Sequence, residues 1–224
     1  YIFNIRNTEA VQMDRDETIS AKFQKNAQKH AELLRFFALL ISGTAIGLIF
    51  NAICGYEYSQ ALVERVRLCF SPPFDGVSGF FGIFGVVTDA AGTDMILTLL
   101  VCLFGLTYIT RQGCSLLLML RGVFLGLSAG ILAVSAAGGV IDTPHPALCS
   151  VLNLLFASVT SVILVFLSCF AGRASTLFRG LSDRSPNMIF TTRFGTYCLA
   201  FAAAIGAEII LKAIYLLFIY LLTL

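Results

Sequence analysis

Between Ser115 and Ala137 the chain reads SLLLMLRGVFLGLSAGILAVSAA, 23 residues with a single charge, Arg121, at the seventh place. A run of that length suits a helix crossing a bilayer, because a helix satisfies its backbone groups within the segment. Arg121 narrows the options further. A permanent cation inside such a run costs at least a few kcal/mol unless another group receives it. Immediately after it stand Gly122, Gly126 and Gly130, four apart. On a helix of about 3.6 residues per turn these lay three bare patches along one stripe, where a neighbouring backbone can come close. The helix is built to be packed against, and the other segments can be read as what packs on it.

Composition agrees that the surrounding medium is lipid. Of 224 residues, 58% are hydrophobic and 12% charged, and the mean hydropathy is +0.87. A formal charge of +2 is too small to suggest a nucleic-acid partner. Seven cysteines, an odd number, show neither a CxxC pair nor a Cys/His ligand spacing, so packed thiols are expected and no metal or cofactor. The first apolar segment follows about 35 polar residues rather than a short basic region, so a cleavable signal is not expected.

The expected fold class is therefore all-α: a polytopic helical membrane protein with five transmembrane helices and an N-terminal amphipathic cytoplasmic helix. In the polar segment 1–35, Ile19, Phe23, Ala27, Ala31 and Leu34 keep helical spacings of three and four, which predicts an amphipathic helix leading into the membrane. The transmembrane domain, 36–224, opens with a span at Phe36–Cys54 containing Gly43, Gly47 and Asn51, a second four-residue stripe. Two helices with small-residue faces invite a close crossing, here between this span and Ser115–Ala137. Residues 55–94 are expected to form the longest loop, stopped midway by Pro72-Pro73. Its glycine-rich half, FDGVSGFFGIFGVV, lacks the polar context and basic residue of a phosphate cradle. It suggests a short interfacial or re-entrant helix, or a partner-binding loop.

Thr93 and Asp94 suit the opening of a second span, Met95–Ile109, and a turn at Arg111–Gly113 would return the chain into the third. Residues 138–146 form a Gly/Pro loop in which Asp142 and His145 are plain loop residues rather than a catalytic or metal pair. The fourth span, about Ala147–Ala171, carries Ser150, Ser158, Thr160, Ser161 and Ser168, which can bond back to carbonyls of their own helix. A basic loop, 172–196, precedes the fifth span, Tyr197–Leu224, with Glu208 and Lys212 inside it.

Counting Lys and Arg by side sets the topology. With the N-terminus inside, eleven of the 15 fall on inner segments, Arg65 and Arg67 lie outside, and Arg121 and Lys212 are intramembrane. That distribution expects a cytoplasmic N-terminus and an extracytoplasmic C-terminus. At 1.5 Å per residue Arg121 lies about 12 Å deep and Glu208 about 18 Å, a gap a guanidinium stem can cover. The two are expected to form an interhelical ion pair, with Lys212 as a second or competing partner of Glu208, since Glu-to-Lys at four residues is the favourable order within one helix.

The order of segments resembles the bacterial stage II sporulation protein M family. The resemblance rests on Gly43-x3-Gly47-x3-Asn51 in the first span, an outer loop, and a second span turning tightly into LLLMLRGVFLGLSAGIL, where Arg121, Gly122 and Gly126 stand at the family's apolar-Arg-Gly-x-x-x-Gly signature. A Pro-led fourth span and a fifth span at the C-terminus follow. The pattern covers roughly 36–171, and span count alone carries it further. Where the family commonly opens the fourth span with a Pro-Gln-Asn type sequence, this chain has Pro144-His145-Pro146. The resemblance implies a non-enzymatic anchor of engulfment, holding peptidoglycan-degrading partners at the septal membrane through loop 55–94, with Gly43, Gly47, Gly122 and Gly126 closing the bundle. Independently, no extramembrane segment is long enough for a catalytic pocket. The alternative is a small transporter or permease subunit using Arg121, Glu208 and Lys212. A component recruiting cytoplasmic partners through 1–35 is a third reading, and self-association of the chain stays open.

Overall fold

The computed structural model describes residues 30–53, 79–137, 145–182 and 188–223. These form five helices and no strand: α1 (His30–Ile53), α2 (Phe80–Gly105), α3 (Thr110–Ala137), α4 (Pro146–Ser182) and α5 (Met188–Thr223). Each is long and apolar enough to cross a bilayer, so the chain is a helical multi-pass membrane protein. The polar segment 1–29, the connection 54–78, and Asp142 lie outside the described residues.

Several boundaries differ from the expected ones, most of them because the helix outlasts the expected apolar run. α2 begins at Phe80, not Met95, so the second half of the expected loop 55–94 is membrane helix. Its start is set by Gly79, whose φ of 84° is a left-handed conformation that glycine adopts without strain. The connection to α3 is Leu106–Ile109, ahead of the expected Arg111–Gly113, which is already helical. Thr110 Oγ1 donates to the carbonyls of Phe104 (2.7 Å) and Thr107 (2.8 Å), tying off the end of α2. Phe104 folds over Gly113, where an added Cβ would come within 2.7 Å of the ring. α1 is already helical at His30, six residues before the apolar run. The expected basic loop 172–196 is mostly helix too, since α4 runs to Ser182 and α5 starts at Met188.

The hub is α4 rather than α3. It packs on α2, α3 and α5, touches α1 through Phe37 and Phe166 (ring centroids 6.4 Å apart), and has 44% of its apolar stretch buried against 22–28% in the other helices. α3 keeps the role its glycines suggested toward α1. A Cβ on Gly43 would collide with the Met119 carbonyl and lie 3.2 Å from Gly122 Cα; one on Gly47 would collide with the Val123 carbonyl and lie 3.1 Å from Gly126 Cα. Gly130 receives the Asn51 side chain. The buried positions of α1, Phe36, Leu40, Gly43 and Gly47, repeat at four-three-four, the spacing of a helix seam.

Apolar packing falls into two clusters. One, at the end where α2 meets α3, includes Phe36, Val101, Cys114, Leu118, Val165, Tyr197 and Phe201. Tyr197 is 1% exposed and donates to the Cys102 carbonyl at 2.8 Å. Its ring lies against Phe170, Phe178 and Phe201, with centroids 4.9–5.7 Å away. The other cluster, toward the opposite end, comprises Val87, Leu132, Cys149, Tyr215, Leu216 and Ile219.

Candidate functional site: a buried polar belt

Between the two apolar clusters, four helices contribute polar side chains. In sequence, Asp94 and Thr98 on α2 lie between Val87 and Val101, Arg121 on α3 between Leu118 and Leu132, Thr160 and Ser161 on α4 between Cys149 and Leu164, and Glu208 on α5 between Phe201 and Tyr215. The α2–α3 hairpin sets the first contact. Asp94 stands eleven residues before the end of α2 and Arg121 eleven after the start of α3, so both lie about 16 Å from the connection at 1.5 Å per residue. Arg121 Nη2 meets Asp94 Oδ1 at 2.7 Å, with the side chains only 14% and 11% exposed.

The expected partner of Arg121 was Glu208, and the structure corrects this: the acid that receives it is Asp94. A Thr-Asp pair before an apolar run is a good N-terminal signal, and on that pattern Asp94 reads as a helix opener rather than as a buried acid. A clue was available, since Met95–Ile109 covers only about 22 Å of a hydrocarbon core of about 30 Å. Adding the preceding turns carries Asp94 into the membrane interior.

Arg121 also donates from Nη2 to Thr160 Oγ1 (2.9 Å) and from Nε to Ser161 Oγ (3.1 Å). Both hydroxyls spend their own hydrogens on the Ala157 carbonyl, at 3.1 and 2.7 Å, which turns their lone pairs to the guanidinium. Ser150 and Ser158 likewise bond back to carbonyls of α4. Thr160 and Ser161 have a second duty that the sequence reading did not assign.

Glu208 is 2% exposed and Thr98 is fully buried. Thr98 Oγ1 donates to Glu208 Oε1 at 2.6 Å, while Oε2 is buried with no hydrogen-bond partner. Lys212, one turn further along α5, holds its ammonium 5.1 Å from the centroid of the Tyr215 ring, a cation–π placement. Along α2 the residues Val87, Ala91, Asp94, Thr98, Val101 and Gly105 recur at four-three-four-three-four, so the polar pair occupies seam positions.

Among the described residues no three His, Cys, Asp or Glu side chains come together in a way that could hold a metal ion. His145 is exposed just before α4, and its carbonyl accepts from Cys149 N–H at 3.1 Å. Comparison with protein-family models, curated proteins and solved structures finds no match to the chain.

Proposed function

We propose that the protein is a non-enzymatic membrane scaffold, in keeping with its resemblance to the stage II sporulation protein M family, and that its bundle serves as an anchor for other proteins. The observation that supports this reading most is the fixing of Arg121. One guanidinium is held by an acid from α2 and two hydroxyls from α4, which ties three helices at one point as a rigid platform requires. The close α1–α3 seam adds a fourth. In this reading the partners are cell-wall hydrolases, the membrane is that of a spore-forming bacterium, and the contact falls on the segment joining α1 to α2. Mild detergent extraction from such a cell, followed by identification of what co-purifies, tests it. A wall hydrolase retained by the intact chain and lost when residues 55–78 are replaced by a neutral linker supports the anchor. A chain that inserts normally and retains no hydrolase refutes it.

One observation favours the transporter reading: Glu208 Oε2 is buried and open. Solute or ion flux in proteoliposomes that disappears in Glu208→Gln, with insertion unchanged, would move the assignment to that class.

A further inference from the structure

α1 and α4 touch through the edge-to-face pair of Phe37 and Phe166 and border an open groove of about 450 Å³ beyond it. Phe37, Ile41, Thr44 and Leu48 line its α1 side, and Ser158 and Val162 its α4 side. A second hollow of about 680 Å³ continues along α4 from Val151 to Phe166, and the two share Ser158 and Val162. Three hydroxyls border the groove, yet it is apolar. Thr44, Ser158 and Ser161 donate to the carbonyls of Leu40, Leu154 and Ala157 on their own helices. Residue numbers rise along α1 as they fall along α4, so the two helices run antiparallel. In the other direction from the phenylalanine pair, toward the end where α2 meets α3, His30 stands seven residues before Phe37 and Arg173 seven after Phe166. Seven residues are two helical turns, about 10 Å. Each therefore stays on the face of its helix that lines the groove, and both come to one level. Both are exposed. Glu32, the one acid at this end among the described residues, is about 200° round α1 from His30 and lies 4.0 Å from Arg111.

The groove is too small to seat a sixth helix. Between Val151 and Phe166 it runs about 22 Å, over which a helix 10–12 Å thick fills on the order of 2,000 Å³. A single acyl chain is slim and flexible enough to follow it. An apolar groove within the membrane, with a cation two turns beyond one end, matches a lipid that joins such a chain to an anionic head. We propose that α1 and α4 form a binding site for one anionic phospholipid, drawn from the leaflet at the end where α2 meets α3. Its phosphate sits at Arg173, whose planar guanidinium offers paired donors, with the ring N–H of His30 on the facing helix. One acyl chain passes over the Phe37–Phe166 contact into the groove. The site does not depend on the scaffold reading and stands whether or not a hydrolase binds.

Native mass spectrometry of the purified full-length protein in detergent tests the proposal, with dioleoyl phosphatidylglycerol and dioleoyl phosphatidylcholine as probes of equal chains and different head charge. The wild type is expected to retain one phosphatidylglycerol per chain in preference to the choline lipid. Arg173→Gln should weaken its retention about fivefold, the scale of one basic residue acting on an anionic head. Adding His30→Ala should erase the preference. Ala45→Phe, at an exposed position lining the groove, should lower retention of both lipids by obstructing the chain. Arg35→Gln and Arg193→Gln remove exposed arginines on α1 and α5 that do not line the groove, and should leave retention unchanged. Circular dichroism checks that each variant is folded; should Ala45→Phe fail, the arginine series still decides. The proposal is overturned if the two lipids are retained equally, or if the preference survives the double variant. An equal loss in all three arginine variants would assign the effect to diffuse surface charge and overturn it too. So would inorganic phosphate retained as well as the lipid, which would mark a soluble-anion site, or a dimer that carries no lipid, which would place a second copy over the groove.

Discussion

Arg121 was legible as a residue needing an acid; which acid was not. Sequence distance along two helices fixes depth but not azimuth, and Glu208 and Asp94 both reach the right depth. What decides is the short connection Leu106–Ile109, which makes α2 and α3 immediate neighbours with Asp94 and Arg121 in register. Removing one member of a buried pair strands the other, at a cost of about 3–5 kcal/mol, whereas removing both is often close to neutral. Asp94→Asn and Arg121→Gln are each expected to destabilise the protein on that scale, and the double variant to recover most of the loss. Unfolding in mixed micelles, analysed as a double-mutant cycle, measures this; additive single effects would show that the two side chains are not coupled. Pairing Arg121→Gln with Glu208→Gln should give much weaker rescue, since Glu208 leans on Thr98 rather than on the guanidinium in the folded chain.

Between helices, glycine spacing was the most informative signal. It placed α1 against α3 because a four-residue repeat of bare positions keeps one face, and the backbones do meet there. Not every glycine has such a role: Gly85, Gly92, Gly172 and Gly206 have open space where a Cβ would go. Gly43→Ala and Gly126→Ala are therefore expected to cost about 1–3 kcal/mol through overpacking against fixed backbone. Gly92→Ala and Gly206→Ala should stay within about 0.5 kcal/mol. Thermal unfolding of the four variants in one detergent provides the comparison, and a uniform response would contradict the seam. Tyr197→Phe keeps the ring stack but loses the bond to Cys102; hydrogen bonds between membrane helices average about 0.6 kcal/mol and reach about 1.7, so a loss in that range is expected from the same measurement. Helix ends were the least legible. Hydropathy reports where lipid gives way to water, not where backbone hydrogen bonding stops, and α4 and α5 both continue past that border.

At the level of the whole molecule, five spans could be read because lipid leaves so few ways to satisfy a backbone. The hub could not. α4 has the most apolar stretch of the five but no glycine stripe to mark what packs on it; it is central because its neighbours must share a core and its hydroxyls can meet Arg121 without carrying charge. The sidedness expected from the eleven inner basic residues is open to direct test. A reporter fused after residue 224 that becomes active only when exported should be active, and one placed at Tyr108, 84% exposed in the α2–α3 connection, should be silent; the reverse result would invert the topology. The match in depth between Asp94 and Arg121 also bears on biogenesis. Each charge alone at mid-helix is penalised by about 2.5–3.5 kcal/mol during insertion, but four linking residues deliver them together. α2 and α3 should therefore leave the translocon as one unit. In a nascent chain stopped after Gly105, α2 should fail to stay across the bilayer although α1 holds, as protease protection of a C-terminal tag reads, while in one stopped after Ala137 both α2 and α3 should span.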